Sequence, residues 1–183
     1  MKTSSIERHK KELTEIFEKT NRFAVFLCGP SVKNKTSSAA KLRMKFSRAL
    51  KRKGFEVVVG EDDGMDKIAR LFDLDAQSNE IKYIEQCSAI IIIADSPGSF
   101  SELGSFTHHL MKSNQQEKNK IDFILVIHKQ YKGKKSYINH GPALLVKNCL
   151  GGMSEYVDFN KYKVSEIVKR LSHRRAAFRT LKK

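Results

Sequence analysis

Two kinds of apolar segment alternate along the chain. Short runs of consecutive β-branched and aromatic residues are typical of strands buried on both faces. They occur at residues 22–28, 55–59, 90–93 and 121–127, and a short edge strand is predicted at 156–159. Apolar residues at helical spacing predict helices over 4–20, 37–53, 68–72, 79–86, 100–113, 142–148 and 163–181.

The order of these segments predicts the fold class. Strands that alternate with helices form a parallel sheet with right-handed crossovers. We therefore expect an α/β fold, a flavodoxin-like three-layer sandwich with a mostly parallel sheet. The 183 residues fit one domain, residues 1–183, with an N-terminal helix at 4–20 and a basic C-terminal helix at 163–181.

Several classes of protein are disfavoured by the sequence. No GxGxxG follows the first strand, so a Rossmann cofactor site is not expected. No apolar run approaches the ~20 residues of a membrane span. The three cysteines are widely spaced, which favours reduced thiols over disulfides or a zinc site. We expect a cytoplasmic protein without a metal site or a membrane segment.

The formal net charge of +15 is unevenly distributed. Residues 33–53 carry nine Lys or Arg and no acid, and residues 161–183 carry nine against one acid. Between them, residues 61–75 hold six acids. Basic outer helices around an acidic middle predict a nucleic-acid partner and a polar site. Ordinary solvated helix faces are the alternative explanation.

Polar turns follow the first three predicted strands. Because the carboxyl ends of parallel strands meet at one sheet edge, where open α/β sheets bind ligands, these turns form the candidate site. Acidic side chains beside a glycine turn suit the hydroxyl groups of a sugar or nucleoside. The candidates are Gly29, Pro30, Ser31, Glu61, Asp62, Asp95, Gly98, Ser99 and Glu102.

Glu102 is the first candidate for catalysis. Cleavage of an N-glycosidic bond passes through an oxocarbenium-like state, which a carboxylate stabilises or attacks. A second acid can protonate the departing base, although the nicotinamide of NAD is already cationic and needs no proton. Ser99 and Glu102 also have the spacing of a capping box, which needs no function. Asp95 could likewise be only a turn former.

Three ordered motifs carry a family resemblance. Residues 26–30 (FLCGP), 95–106 (DSPGSFSELGSF) and 136–142 (SYINHGP) resemble the nucleoside 2-deoxyribosyltransferase-like superfamily. They resemble in particular the deoxyribosyltransferase-like effectors encoded with bacterial retrons. The likeness covers roughly residues 22–148.

This resemblance implies roles for individual residues. Glu102 would be the nucleophile that forms a covalent glycosyl ester, and Asp95 the nearby carboxylate that handles the base or its proton. Gly29 and Pro30 would line the sugar site. Asn139 would complete it, from a neighbouring subunit if the protein is a homo-oligomer. No cofactor is implied, and NAD would be a substrate.

The resemblance also implies a biological setting. The chain would be an N-glycosidase acting on NAD or a (deoxy)nucleotide, as an anti-phage toxin of a retron. Its partners would be the retron reverse transcriptase and multicopy single-stranded DNA. A phosphoribohydrolase is one alternative, although the glycine pair of its signature is missing around Gly98. A nucleotide-sensing or DNA-binding adaptor without catalysis is the other.

Overall fold

The computed structural model describes residues 23–31, 34, 36–59, 75–113, 121–148 and 150–181. Four expectations lie outside these residues: the helix at 4–20, the short helix at 68–72, and the site candidates Glu61 and Asp62. They stay predictions.

The core of the molecule is a five-stranded sheet in which every neighbouring pair of strands is parallel. The strand order is β2-β1-β3-β4-β5. The strands are β1 (Ala24–Cys28), β2 (Glu56–Val59), β3 (Ala89–Ala94), β4 (Asp122–His128) and β5 (Met153–Val157). The predicted α/β fold, a flavodoxin-like three-layer sandwich, is confirmed.

Helices cover both faces of the sheet, as parallel sheets require. The helices are α1 (Ser38–Arg52), α2 (Ala76–Ile84), α3 (Pro97–Ser113), α4 (Tyr137–His140), α5 (Pro142–Asn148) and α6 (Ser165–Leu181). Apolar side chains of α2, α3 and α5 pack on one face of the sheet, and those of α1 and α6 pack on the other. None of the described helices is long and apolar enough to cross a membrane.

The isoleucine run forms β3, the central strand. Ile90 and Ile92 join the core on the α3 side, whereas Ile91 and Ile93 join the core on the α1 side. All four side chains are fully buried, which confirms a strand covered on both faces. Each such burial stabilises the fold by about 1.5–3 kcal/mol.

The edge strand was predicted three residues too late. β5 spans Met153–Val157, and Phe159 lies after the strand with its side chain buried on the α1–α6 side. Every residue of β5 is only partly buried, so the strand has no apolar run that would mark its start. The segment between β4 and α5 contains a 3₁₀ turn (Lys129–Tyr131) and the short helix α4.

Candidate active site at the centre of the sheet edge

The order of the strands places a topological switch point, which we call the crevice, between the carboxyl ends of β1 and β3. The chain leaves β1 toward β2 on one side and leaves β3 toward β4 on the other. This reversal opens the sheet edge at the place where doubly wound folds bind their ligands. The turns after β1 and β3, which carry most of the described candidates, both lie here.

Gly29 allows β1 to end in close contact with β3. Its φ is +146°, and a Cβ built there would lie 3.0 Å from the carbonyl oxygen and 3.1 Å from the Cβ of Ile93. Only glycine tolerates both that backbone conformation and that proximity. The turn is also held by the buried Arg43 of α1, whose Nη2 donates to the Leu27 carbonyl (3.1 Å) and Nη1 to that of Pro30 (3.3 Å).

Helix α3 begins at Pro97, three residues earlier than predicted. Ser96 caps it: its carbonyl accepts the Phe100 amide at 3.0 Å, and its Oγ accepts the Ser99 amide at 3.3 Å. Pro97 then occupies the first helical position, where its missing N–H costs nothing. Ser99 lies inside the first turn, so the capping box predicted for Ser99 and Glu102 is wrong.

Ser99 and Gly98 have local positions in this turn. The Oγ of the buried Ser99 accepts the amides of Asp95 (3.1 Å) and Ser96 (3.0 Å), and thereby fixes the β3–α3 connection. Gly98 is exposed, and a Cβ there would meet no atom within 4 Å. Direct contact of either residue with a substrate stays a prediction.

Glu102 points toward the end of β1. The thiol of Cys28 donates to Glu102 Oε2, with 2.5 Å between Sγ and the oxygen. The Glu102 side chain is partly exposed, whereas Cys28 is buried. Burial raises the pKa of the Cys28 thiol well above its ordinary value, and the charge of Glu102 raises it further. A neutral thiol below the crevice is therefore in direct contact with the Glu102 carboxyl group.

Glu80 brings a second carboxyl group to the same place. Gln77 Nε2 donates to Ser105 Oγ at 3.0 Å, which holds α2 against α3, and Glu80 follows one turn after Gln77. Burial, and then the charge of Glu102, raise the pKa of Glu80 to about 7, while Arg43 acts in the opposite direction. Close to neutral pH this carboxyl can either give or take a proton.

Sequence reasoning missed Glu80. Other polar residues of α2 lie near it in the sequence, including Gln77, Ser78 and Lys82, so it resembles an ordinary solvated position. The usable signal was its location: a carboxylate on the helix that leads directly into β3 and lies beside the helix that carries Glu102.

Asp95 lies at the rim of the crevice, directly after β3. Its side chain is partly exposed, and burial raises its pKa, while the charge of His128 acts in the opposite direction. Gln130 Nε2 approaches Asp95 Oδ1 to 3.5 Å, at the long limit of a hydrogen bond. The loop that follows β4 therefore borders the site.

Asn139 secures that loop from within. Its Nδ2 donates to the carbonyls of Tyr131 and Lys134, both at 2.7 Å, and its Oδ1 accepts the Tyr156 hydroxyl at 2.7 Å. The Tyr131 ring packs edge-on against Phe100 of α3, with 5.2 Å between ring centroids. In this chain Asn139 organises the segment beside the site, and its contact with a substrate stays a prediction.

Among the described residues, no three His, Cys, Asp or Glu side chains are arranged to hold a metal ion.

The sequence model of a family described as the STM3845 retron effector protein matches residues 39–183. The chain belongs to this family. The match runs from α1 to the last residue and includes every described residue of the crevice except those of β1 and its turn.

A relative from Escherichia coli is also similar to this retron effector. It is named as a ribosyltransferase/DNA-binding protein of retron Ec86, and it is 32% identical over 127 residues. The match covers 69% of this chain but only 38% of the relative. The chain thus spans well under half the length of that curated protein.

Proposed function

We propose that this retron effector is an N-glycosidase that cleaves the bond between base and sugar in a nucleotide or in NAD, with Glu102 as the nucleophile. The observation that carries the proposal is the pairing of two carboxyl groups in the crevice. Glu102 accepts from Cys28, and Glu80 has a pKa of about 7. A nucleophile beside a proton-carrying acid is the equipment of a retaining glycosidase.

In the first step, a Glu102 oxygen forms a bond to the anomeric carbon while the bond from that carbon to the base nitrogen breaks. The electron pair leaves with the base, and protonated Glu80 supplies a proton to a neutral base. In the second step, water attacks the anomeric carbon and gives a proton to ionised Glu80, which has lost its own proton to a neutral base or, when nicotinamide leaves, to solvent. The ester bond breaks, and Glu102 is released as a carboxylate.

Asp95 and the turn at Gly29 contribute to binding in this proposal. Carboxylates at the rim suit ribose hydroxyls, and the tight β1 turn lets the sugar approach the backbone. The name of the E. coli relative includes ribosyl transfer, which supports the same reaction class. Water as the acceptor makes the chain a hydrolase, and a second base as the acceptor makes it a transferase.

The test is chromatographic product analysis with NAD and a panel of (deoxy)nucleotides. Wild-type protein should release free base or nicotinamide from at least one of these compounds. Glu102→Gln should abolish the release while leaving the melting temperature within a few degrees. Glu166→Gln, at an exposed position of α6, is the control and should retain activity. Full activity of Glu102→Gln would refute the nucleophile.

We also propose that nucleic acid binds a basic face formed by α1 and α6. This face comprises the exposed cations Lys41, Lys45, Arg48, Lys51, Arg52, Lys169, Arg174 and Arg179. The two helices pack side by side, and Arg175 joins them by donating to the carbonyls of Lys53 (2.9 Å) and Gly54 (3.0 Å). α1 contains no acidic residue.

The name of the E. coli relative includes DNA binding, which supports this surface. The partners that the resemblance implies, a reverse transcriptase and its multicopy DNA, fit the same charge. Binding of labelled single-stranded DNA at increasing salt concentration tests the proposal. It can be measured on Glu102→Gln, so the outcome does not depend on catalysis.

A further inference from the structure

The Cys28 thiol is a buried polar group that the proposed reaction leaves without a role. It lies at the last position of β1, with 3% of its surface exposed. The short turn at Gly29 keeps this end of β1 against β3, so the thiol lies below the crevice. Its Sγ is 2.5 Å from Glu102 Oε2.

The direction of this hydrogen bond follows from the surrounding charges. Glu102 faces Cys28 from α3, Glu80 from α2 and Arg43 from α1. Burial and the two carboxyl groups raise the pKa of the thiol, and Arg43 lowers it by less. The thiol therefore keeps its proton and donates, and Glu102 accepts. A donor of this kind stabilises the ionised form of the carboxylate that accepts it.

We propose that Cys28 is a positioning residue for Glu102: its S–H holds Oε2 and keeps the ionised carboxylate directed into the crevice. This inference rests on the proposed function and adds a residue that touches the nucleophile rather than the substrate. No bond to sulfur forms or breaks during the reaction. The hydrogen bond weakens when Glu102 becomes an ester and strengthens as the carboxylate departs in the second step.

Two substitutions separate this role from simple packing. Cys28→Ala removes the donor, whereas Cys28→Ser keeps an O–H donor at the same position. Cys28→Ala should lower kcat about tenfold and move the acidic limb of the pH–rate profile up by roughly one unit, with KM little changed. Cys28→Ser should stay within about twofold of wild type. Equal losses in both variants, or an unmoved profile in Cys28→Ala, would overturn the proposal.

Cys87 provides a matched control. It is another buried cysteine, 5% exposed, in the same apolar cluster as Cys28. Burial and then the charge of Glu56, rather than Glu102, raise its pKa to about 12. Cys87→Ala should cost similar stability and leave the pH–rate profile unchanged. A profile that shifts in Cys87→Ala as far as in Cys28→Ala would mean that loss of packing, not of the donor, is responsible.

A measurement that needs no substrate tests the positioning role of Cys28 separately from the proposed function. Carbon-13 NMR of glutamate carboxyl groups, with the Glu102 signal assigned from Glu102→Gln, follows the titration of this one residue. Its midpoint should rise by roughly one unit in Cys28→Ala and stay near wild type in Cys28→Ser. If the Glu102 midpoint does not move in Cys28→Ala, Cys28 does not have the positioning role, even if the wild-type protein is active. If the midpoint shifts but the wild-type protein cleaves none of the compounds, the proposed function is refuted instead.

Discussion

Glu80 and Glu102 are two carboxyl groups in one partly buried crevice, so ionising both at once is unfavourable. Burial and the charge of Glu102 raise the pKa of Glu80 to about 7. Glu102 accepts the Cys28 S–H, which favours its ionised form. The environments thus favour different protonation states for the two groups, which is what the proposed mechanism requires of them.

The first prediction follows from the leaving groups. Glu80→Gln removes the proton donor, so release of a neutral base should slow by about 10²–10⁴-fold. The first turnover of NAD should be much less affected, because nicotinamide leaves without a proton. Rapid-quench measurement of nicotinamide and of a purine from the same variant checks this. Equal losses for both leaving groups would contradict the role of Glu80 as an acid.

The second prediction concerns stability. The raised pKa means that the folded state binds the Glu80 proton more tightly than the unfolded state does. The contribution of Glu80 to stability is therefore greatest below its ordinary pKa of 4.5 and is lost as pH rises through about 7. Glu80→Gln should remove this fall and be more stable than wild type at pH 8 by about 1 kcal/mol, a modest amount because the side chain is partly exposed. Urea unfolding of both proteins at pH 4 and pH 8 measures it.

The individual residues of the candidate site were only partly predictable from the sequence. The location of Glu102 and of the Gly29 turn at one edge of the sheet could be predicted, because both follow apolar strands and the strand ends fix their position. The location of Glu80 near Glu102 could not be predicted, because it depends on how α2 packs against α3. The contact of Cys28 with Glu102 joins residues 74 positions apart, which no local pattern contains.

At the scale of elements, the close contact between β1 and β3 shapes the crevice. The third prediction is that Gly29→Ala destabilises the fold by about 2–3 kcal/mol, because its φ of +146° and the nearby Ile93 backbone both exclude a side chain. Gly98→Ala is the matched control and should change stability by less than about 0.5 kcal/mol, because its Cβ would meet nothing within 4 Å. Thermal unfolding compares them, and equal effects would contradict the account.

The elements themselves were predicted best where burial is complete. β3 carries four consecutive isoleucines and was predicted almost to the residue. The start of α3 was missed because Ser96, Pro97 and Ser99 all satisfy rules for the beginning of a helix, and only the hydrogen bonds decide among them. The position of β5 was predicted too late because a half-buried strand that contains Ser154 and Glu155 lacks an apolar run.

At the scale of the whole molecule, the two basic segments come together on one face. The charge runs were visible in the sequence, but their packing on the same side of the sheet was not. That arrangement depends on the crossover from β5 to α6 and on Arg175, whose guanidinium stacks 3.9 Å from the centre of the Phe55 ring. The acidic residues 61–74 lie outside the described structure.

The fourth prediction is that replacement of Lys41, Lys45 and Arg48 by alanine weakens DNA binding to a similar extent whatever the base sequence of the DNA. Each phosphate contact contributes about 0.7 to the salt slope for single strands, so loss of three contacts should reduce that slope by about 2. Alanine at Lys132, Lys134 and Lys135, in the loop after β4, is the control with the same change of charge. Fluorescence anisotropy at several salt concentrations measures the slope. Equal effects would show that net charge, rather than the basic face, governs binding.

The covalent step at Glu102 is the central claim. A substrate with fluorine at the 2′ position slows hydrolysis of a glycosyl ester, because it destabilises the oxocarbenium-like transition state. Intact-protein mass spectrometry after incubation should show one added glycosyl group. Peptide mapping should locate it on Glu102, and Glu102→Gln should not gain it. Base release by a protein that never carries the adduct, or an adduct on another residue, would contradict the account.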